Sequence, residues 1–149
     1  MPTPVFNILI VEDASIIIKQ LYILLSDKRH VLTIQTANTA ELGLQMIKKQ
    51  VPDILILDIK LPGINGIELF NQFKLQFPQA RPLTIFLTNM PSPIYRDACL
   101  NNGADFFLDK SRDFLLLPEI IDQHIQQTAL QSTNPISPNS ITSICNTLS

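Results

Sequence analysis

Residues 53–69 read DILILDIKLPGINGIEL, and this stretch decides the fold. Four aliphatic residues lead directly to Asp58, and four residues later the chain reaches the turn signal Pro62-Gly63. A short continuous apolar run of this kind is typical of a strand that is covered on both faces. An ionised carboxylate is costly to bury, so we expect Asp58 to lie at the end of the strand, at the edge of the core.

Similar apolar runs recur along the chain, and segments with helical spacing separate them. Thr39 is a predicted N-cap, Asn102-Gly103 marks a predicted helix end, and Pro118 suits the first turn of a fifth helix. Five strand–helix pairs predict a doubly wound α/β fold, with helices on both faces of a parallel sheet of flavodoxin-like order 2-1-3-4-5. The predicted strands are 5–11, 31–36, 53–58, 82–88 and 104–109, and the other predicted helices are 14–26, 39–49, 66–76 and 93–102.

Composition excludes several classes of protein. The 149 residues are 46% hydrophobic and 16% charged, which suits one domain with a full core. The net charge of −2 and the scattered basic residues indicate no nucleic-acid surface. No apolar stretch approaches the roughly 20 residues of a membrane-spanning helix, so we expect a soluble, cytoplasmic protein that has no contact with a membrane. Cys99 and Cys145 are too few for a disulfide framework, and His30 and His124 lack companions at ligand spacing.

The composition changes after Gln131, where Ser, Thr, Asn and Pro become frequent. We expect residues 132–149 to form a polar, flexible tail. The alternative is a short docking helix, since four apolar residues of the tail share one helical face. These residues are Ile141, Ile144, Cys145 and Leu148.

Polar side chains follow every predicted strand, and the ends of parallel strands meet at one edge of the sheet. Those that carry charge or a reactive hydroxyl are Glu12, Asp13, Asp58, Thr88 and Lys110. Each has a simpler explanation when taken alone: Asp13 could cap the first helix, and Lys110 could be a solvated surface charge. A shared site accounts for all five residues at once.

Three neighbouring carboxylates repel one another at neutral pH unless they share a proton or bind a cation. Oxygen ligands without histidine or thiolate favour a hard cation, which predicts Mg²⁺, with Mn²⁺ as a substitute. Lys110 could neutralise a second anionic group, and Thr88 could donate its hydroxyl to the same anion. Such surroundings are those of a phosphoryl acceptor, with Asp58 as the nucleophile that forms an aspartyl phosphate.

The same residues lie in four motifs that resemble the receiver domain of the response regulators of two-component signalling. The motifs are ILIVEDA (8–14), LILDIKLPGING (55–66), FLTN (86–89) and GADFFLDKS (103–111). The resemblance extends from about residue 5 to residue 130. It therefore implies a receiver domain over residues 1–131, followed by the tail.

The resemblance implies that Asp58 takes a phosphoryl group from a histidine kinase or a histidine phosphotransfer protein. The chain would be a phosphoacceptor that takes part in its own phosphorylation and dephosphorylation, not an enzyme. Lys110 would contact the phosphoryl group, Thr88 would move toward it, and Phe107 would change rotamer with Thr88; ordinary packing is the alternative for Phe107. The metal ligands would be Glu12, Asp13, Asp58 and the backbone carbonyl of Lys60.

The sequence departs from the family pattern near the site. Ser111 stands where a proline with a cis peptide bond commonly follows the site lysine. A non-proline cis bond costs about 3–4 kcal/mol, so either this bond is trans or its surroundings hold the strain. Asn89 is larger than the residue common at its position and would narrow the phosphate entrance. Lys60 and Met90 occupy variable positions with which the family tunes the lifetime of the phosphoryl group.

Only the polar tail follows the receiver-like part of this sequence. We therefore expect a stand-alone receiver or phosphorelay intermediate that signals to a downstream protein by contact, without binding nucleic acid. A phosphorylation-dependent homodimer stays open. Helix 14–26 has more apolar residues than one buried face needs, among them Ile16 and Ile18, and they form either a docking surface for the phosphodonor or a tolerated surface.

Three other functions share this architecture. An FMN binder is disfavoured because the charges of Glu12 and Asp13 would repel phosphate in the loop after the first strand. A phosphatase with an aspartyl nucleophile would carry Asp-x-Asp in that loop, whereas this chain has Glu12-Asp13 there and its best nucleophile, Asp58, after the third strand. The remaining alternative is a receiver-like interaction module that is not phosphorylated, and such a module has no reason to bind Mg²⁺ at Asp13 and Asp58.

Overall fold

The computed structural model describes residues 4–26 and 30–133, with side chains through residue 130. Five parallel strands form one sheet in the order β2-β1-β3-β4-β5, which confirms the predicted order. The strands are β1 (Val5–Val11), β2 (Val31–Ala37), β3 (Ile54–Leu57), β4 (Leu83–Thr88) and β5 (Phe106–Asp109). The helices are α1 (Ser15–Leu25), α2 (Ala40–Lys49), α3 (Gly66–Gln76), α4 (Pro93–Asn101) and α5 (Leu117–Thr133), and a short 3-10 helix (Phe114–Leu116) precedes α5.

The described residues divide into two compact units, one up to Pro118 and the other from Glu119 onward. The first unit contains the sheet and helices α1 to α4. In the second unit, the side-chain amides of Gln123 and Gln126 donate hydrogen bonds to the carboxylates four residues earlier, at 3.1 and 3.0 Å. Helix α5 continues to Thr133, two residues into the predicted tail. The rest of that tail, with the apolar stripe and Cys145, lies outside the described residues.

The helices begin and end where the sequence indicates. Thr39, Asn65 and Ser92 each accept a hydrogen bond from the backbone N–H three residues later, at 3.1, 2.9 and 3.2 Å. Such N-caps satisfy donors that the first turn of a helix leaves unpaired. After α4, Gly103 adopts a φ of 103°, as the Asn102-Gly103 signal predicts. Within the described part of the chain, no helix is both long and apolar enough to cross a membrane.

Strand order decides which face of the sheet each helix covers. The chain moves one way across the sheet from β1 to β2, and the opposite way from β2 to β5. Since crossovers between parallel strands are right-handed, α1 lies on one face, and α2, α3 and α4 lie on the other. The largest buried cluster agrees with this arrangement, because it joins residues of α2, α3 and α4 to the sheet and contains none from α1.

The two central strands β3 and β4 are buried on both faces of the sheet. All four residues of β3 and all six of β4 are buried, although alternate side chains point to opposite faces. Leu55, Leu57 and Phe86 belong to the cluster with α2 to α4, while Ile54 and Ile56 face the other way. The edge strand β2 instead alternates between more and less exposed residues. The central strands therefore hold their carboxyl ends in a rigid core.

Candidate functional site

Strand pairing brings the predicted site residues to one edge of the sheet. Val11 pairs with Leu57, so the next residues of the two strands, Glu12 and Asp58, are neighbours. The backbone N–H of Asp58 donates to the carbonyl of Val11 at 3.0 Å, which extends the ladder by one residue. On the other side, the N–H of Lys110 donates to the carbonyl of Thr88 at 2.9 Å. Four separate segments thus meet at the carboxyl end of the sheet.

The three predicted acidic residues form one cluster. Glu12, Asp13 and Asp58 each offer a carboxylate oxygen, and these oxygens lie within 4.8 Å of one another. Glu12 and Asp58 are buried, with 2% and 7% of their surface exposed, whereas Asp13 is exposed. The N-cap of α1 is Ala14, without a side-chain hydrogen bond, so the simpler explanation of Asp13 as a helix cap is wrong.

Lys110 is the positive charge of this cluster. Its ammonium forms ion pairs with Oε1 of Glu12 and, at 3.1 Å, with Oδ2 of Asp58. The Lys110 side chain is only 6% exposed, so it is not the solvated surface charge of the simpler explanation. The second oxygen of Asp58 accepts the N–H of Ile59 at 2.8 Å. Asp58 is thus held by one charged and one backbone donor.

Burial and neighbouring charges shift the pKa values of Glu12 and Lys110, the two residues beside Asp58. Loss of water raises the pKa of Glu12 from its usual 4.5 to about 7, and the charge of Asp58 adds to this, while Lys110 opposes it. Burial alone would lower the pKa of Lys110, but the carboxylates of Glu12 and Asp58 outweigh that effect and raise it. Lys110 therefore stays protonated at neutral pH, where Glu12 is close to its own pKa.

Thr88 lines the cleft at the end of β4, and Phe107 is the second residue of β5. The Thr88 side chain is buried, and its Oγ1 accepts a hydrogen bond from the N–H of Met90 at 3.0 Å. Phe107 is also buried and belongs to the cluster of α2 to α4. Its inward position agrees both with a packing role and with the predicted switch, so the role of Phe107 stays a prediction.

The loop after Asp58 owes its path to glycine. A Cβ on Gly66 would lie 1.9 Å from the carbonyl oxygen of Asp58, so no other residue fits without movement of the backbone. The N–H of Gly66 also donates to the carbonyl of Ile59 at 2.8 Å, which closes the loop onto the end of β3. Within the loop Lys60 is exposed, and Gly63 adopts a φ of 78°.

The residues after Lys110 form a turn, which leads to the short 3-10 helix. All peptide bonds of the described residues are trans, so the bond between Lys110 and Ser111 carries no cis strain. The Asp109 carboxylate accepts hydrogen bonds from both the N–H and the hydroxyl of Ser111. Sequence reasoning missed Asp109, although an aspartate two residues before a serine is the pattern of such a side-chain-to-backbone turn.

A cleft of about 430 Å³ opens over the site. Its lining includes all the predicted site residues except Phe107, and Asn89 and Met90 form part of its wall. Of the described residues that line it, none is a histidine or a cysteine. Three clustered carboxylates with one ammonium therefore fit a hard divalent cation, and Glu12, Asp13 and Asp58 are the side chains that could hold it.

Comparison with known proteins identifies the family of this chain. Residues 8–122 match the family described as the response regulator receiver domain. The transcriptional activator protein ExaE of Pseudomonas putida is 33% identical over 105 residues, which are 70% of this chain and 48% of that protein. The transcriptional regulatory protein AfsQ1 of Streptomyces coelicolor is 29% identical over 137 residues, which are 91% of this chain and 58% of that protein. The chain spans about half the length of these curated relatives.

A solved structure has the same fold. The CheY-like response regulator receiver domain protein of Methanospirillum hungatei superimposes with a TM-score of 0.72 and 27% identity. The match covers 86% of this chain and 99% of that one. The two chains therefore share the fold over most of their length.

Proposed function

This chain belongs to the response regulator receiver domain family, and we propose that it is a phosphorylation-activated switch whose phosphoacceptor is Asp58. The observation that carries the proposal is the contact between Asp58 and Lys110, at 3.1 Å, within a cluster of three carboxylates. A buried carboxylate with an adjacent ammonium at the floor of an open cleft can meet an incoming phosphoryl group.

The reaction we propose is a direct transfer to Asp58. A carboxylate oxygen of Asp58 attacks the phosphorus atom of a phosphohistidine on the donor protein. The P–N bond breaks as the new O–P bond forms, and the departing imidazole keeps the electron pair and takes up a proton. Lys110, which already contacts Asp58, stabilises the negative charge on the phosphoryl oxygens. The product is an aspartyl phosphate in the same cleft.

We assign the metal site to Glu12, Asp13, Asp58 and the backbone carbonyl of Lys60. Mg²⁺, or Mn²⁺ in its place, would supply positive charge that offsets the charge on the phosphoryl oxygens. Glu12 is already paired with Lys110, so its contact with the ion runs through water in this proposal. The exposed Asp13 is free to turn its carboxylate toward the ion, since it does not cap α1.

The switch itself we assign to Thr88 and Phe107. The Thr88 hydroxyl accepts a hydrogen bond from the N–H of Met90, and it would move toward a phosphoryl group on Asp58. Phe107 then occupies the space that Thr88 leaves. Movement of both side chains at the ends of β4 and β5 would alter the neighbouring surface, which is how phosphorylation is read by a partner.

The partners in this proposal are a histidine kinase or histidine phosphotransfer protein and a downstream protein, all in the cytoplasm. On α1, 61% of the surface of Ile16 and 79% of that of Ile23 are exposed, which supports the docking surface, while Ile18 is partly buried. Ile16→Ser should therefore slow transfer from a phosphohistidine donor and spare transfer from acetyl phosphate. Equal slowing with both donors would remove the case for docking on α1.

The experiment that tests the proposed function is intact-mass spectrometry after incubation with acetyl phosphate and Mg²⁺. We expect one phosphoryl group on the wild type, and none after addition of EDTA or in Asp58→Asn. Because a short-lived adduct could escape detection, binding of beryllofluoride with Mg²⁺ is measured in parallel. If the wild type shows neither the adduct nor beryllofluoride binding, the phosphoacceptor proposal fails, and an interaction module that is not phosphorylated takes its place.

A further inference from the structure

The turn after β5 is closed by the side chain of Asp109. Its Oδ1 accepts the N–H of Ser111 at 2.9 Å and the hydroxyl of Ser111 at 2.7 Å. Both distances are typical of good hydrogen bonds to a carboxylate. The hydroxyl and the N–H of Ser111 hold the pKa of the Asp109 carboxyl below its usual range. Asp109 thus remains ionised and keeps both bonds at neutral pH.

The backbone of Asp109 is held as well. Its N–H donates to Oδ2 of Asp113 at 3.0 Å, and the N–H of Asp113 donates back to the carbonyl of Asp109 at 2.8 Å. Lys110 itself pairs with β4 through its N–H, which donates to Thr88. Bonds to Asp109 and to Lys110 itself therefore restrict the backbone of Lys110.

The position of the Lys110 backbone matters, because the long side chain crosses the site to reach Glu12 and Asp58. A lysine ammonium is a point charge on a flexible stem, so its position depends on a fixed Cα. We propose that Asp109 is a positioning residue, which with Ser111 fixes the backbone of Lys110 so that the ammonium meets the phosphoryl group on Asp58. This inference rests on the proposed function.

The test is the rate of phosphorylation by acetyl phosphate at saturating Mg²⁺, with the dissociation constant of Mg²⁺ measured separately by calorimetry. Asp109→Ala should lower the maximal rate by about tenfold, as expected for a displaced catalytic group, and leave Mg²⁺ binding unchanged. Asp109→Asn keeps one oxygen acceptor and should recover part of the rate. Ser111→Ala keeps the N–H bond to Asp109 and should cost least.

Asp105 offers a matched control at the other end of β5. Its carboxylate accepts the N–H of Thr84 at 2.8 Å, a bond of the same kind but away from the site. Asp105→Ala and Asp109→Ala should lose similar stability in urea, and only Asp109→Ala should lose phosphorylation rate. Equal rates in the two variants would overturn the positioning role.

Two further outcomes are separable. A wild type that takes no phosphoryl group and binds no beryllofluoride refutes the proposed function and, with it, this inference. A wild type that is phosphorylated while Asp109→Ala reacts at the same rate refutes the inference alone. Should Asp109→Ala fail to fold, the double variant Asp109→Asn with Ser111→Ala decides, because it loses both the carboxylate charge and the hydroxyl bond, and a rate equal to that of the wild type overturns the assignment.

Discussion

Gly66→Ala should displace the backbone of Asp58 without changing any side chain that lines the site. The added Cβ would lie 1.9 Å from the carbonyl oxygen of Asp58 and 2.9 Å from its carbonyl carbon. Real Cβ atoms essentially never approach another heavy atom within 3.0 Å, so the backbone must move by at least about 1.1 Å. Both clashing atoms belong to the main chain of Asp58, so no side-chain rotation can relieve the contact.

The expected magnitude follows from that displacement. Overpacking of a close-fitting interior costs about 1–3 kcal/mol, and the upper end applies because the clashing atoms are backbone. A displacement of about 1 Å at a reacting group costs roughly a hundredfold in rate. Gly66→Ala should therefore lose about 3 kcal/mol of unfolding free energy in urea and react about a hundredfold more slowly with acetyl phosphate.

Gly43→Ala is the matched control. It lies in the interior of α2, and its added Cβ would meet side-chain atoms of Val11 and Leu69 at 3.0 and 3.2 Å, which can yield. Alanine is favoured over glycine inside a helix by about 1 kcal/mol, which offsets the crowding. Its stability should change by less than about 1 kcal/mol, with an unchanged phosphorylation rate. If folded Gly66→Ala reacts as fast as Gly43→Ala, the claim that Gly66 sets the position of Asp58 is wrong.

Three other predictions address charge and burial. Asp13→Asn should weaken Mg²⁺ binding by roughly tenfold or more in calorimetry, because the site loses one ligand charge, and an unchanged dissociation constant would exclude Asp13 as a ligand. Without Mg²⁺, the pKa of Glu12 is about 7 in the native state and about 4.5 in the unfolded state. The stability that this difference provides is fully present below about pH 4.5 and is lost as the pH rises through about 7. Stability measured in urea should therefore fall from pH 5 to pH 8 more in the wild type than in Glu12→Gln; equal falls would contradict the raised pKa. Cys99 has no exposed surface, and burial raises the pKa of its thiol to about 12. In a Cys145→Ser background, a thiol reagent should therefore modify Cys99 far more slowly in the native protein than in urea. Rapid labelling of the native protein would show that the thiol is accessible.

The sequence allowed the order of elements to be predicted because the local pattern follows from burial. Strands β3 and β4 read as continuous apolar runs, since every residue of both strands is buried, whichever face its side chain points to. Boundaries were less accurate at β5, which begins two residues later than predicted, at Phe106. The predicted strand includes Ala104 and Asp105, and Asp105 instead uses its side chain to accept the N–H of Thr84. A side-chain bond of this kind has no periodic signal.

The candidate site was predictable for a different reason. Parallel strands deliver their carboxyl ends to one edge, so acids after β1 and β3 and a lysine after β5 had to be neighbours. The pattern could not tell whether Asp13 caps α1, nor whether Lys110 turns into the cleft. Those outcomes depend on the packing of segments that are far apart in the chain, as does the trans turn that Asp109 closes.

The amino-acid sequence by itself determined the doubly wound fold and the identity of the residues at its carboxyl edge. Periodicity and turn chemistry act over a few residues and define the strands and helices. The right-handed crossovers between parallel strands then place these elements in the fold. Only the tertiary structure decided that Lys110 pairs with both Glu12 and Asp58, that Glu12 has a pKa of about 7, and that Gly66 packs on the carbonyl of Asp58. Electrostatic and steric energies depend on distance and burial at the scale of an ångström, and no spacing along the chain specifies these.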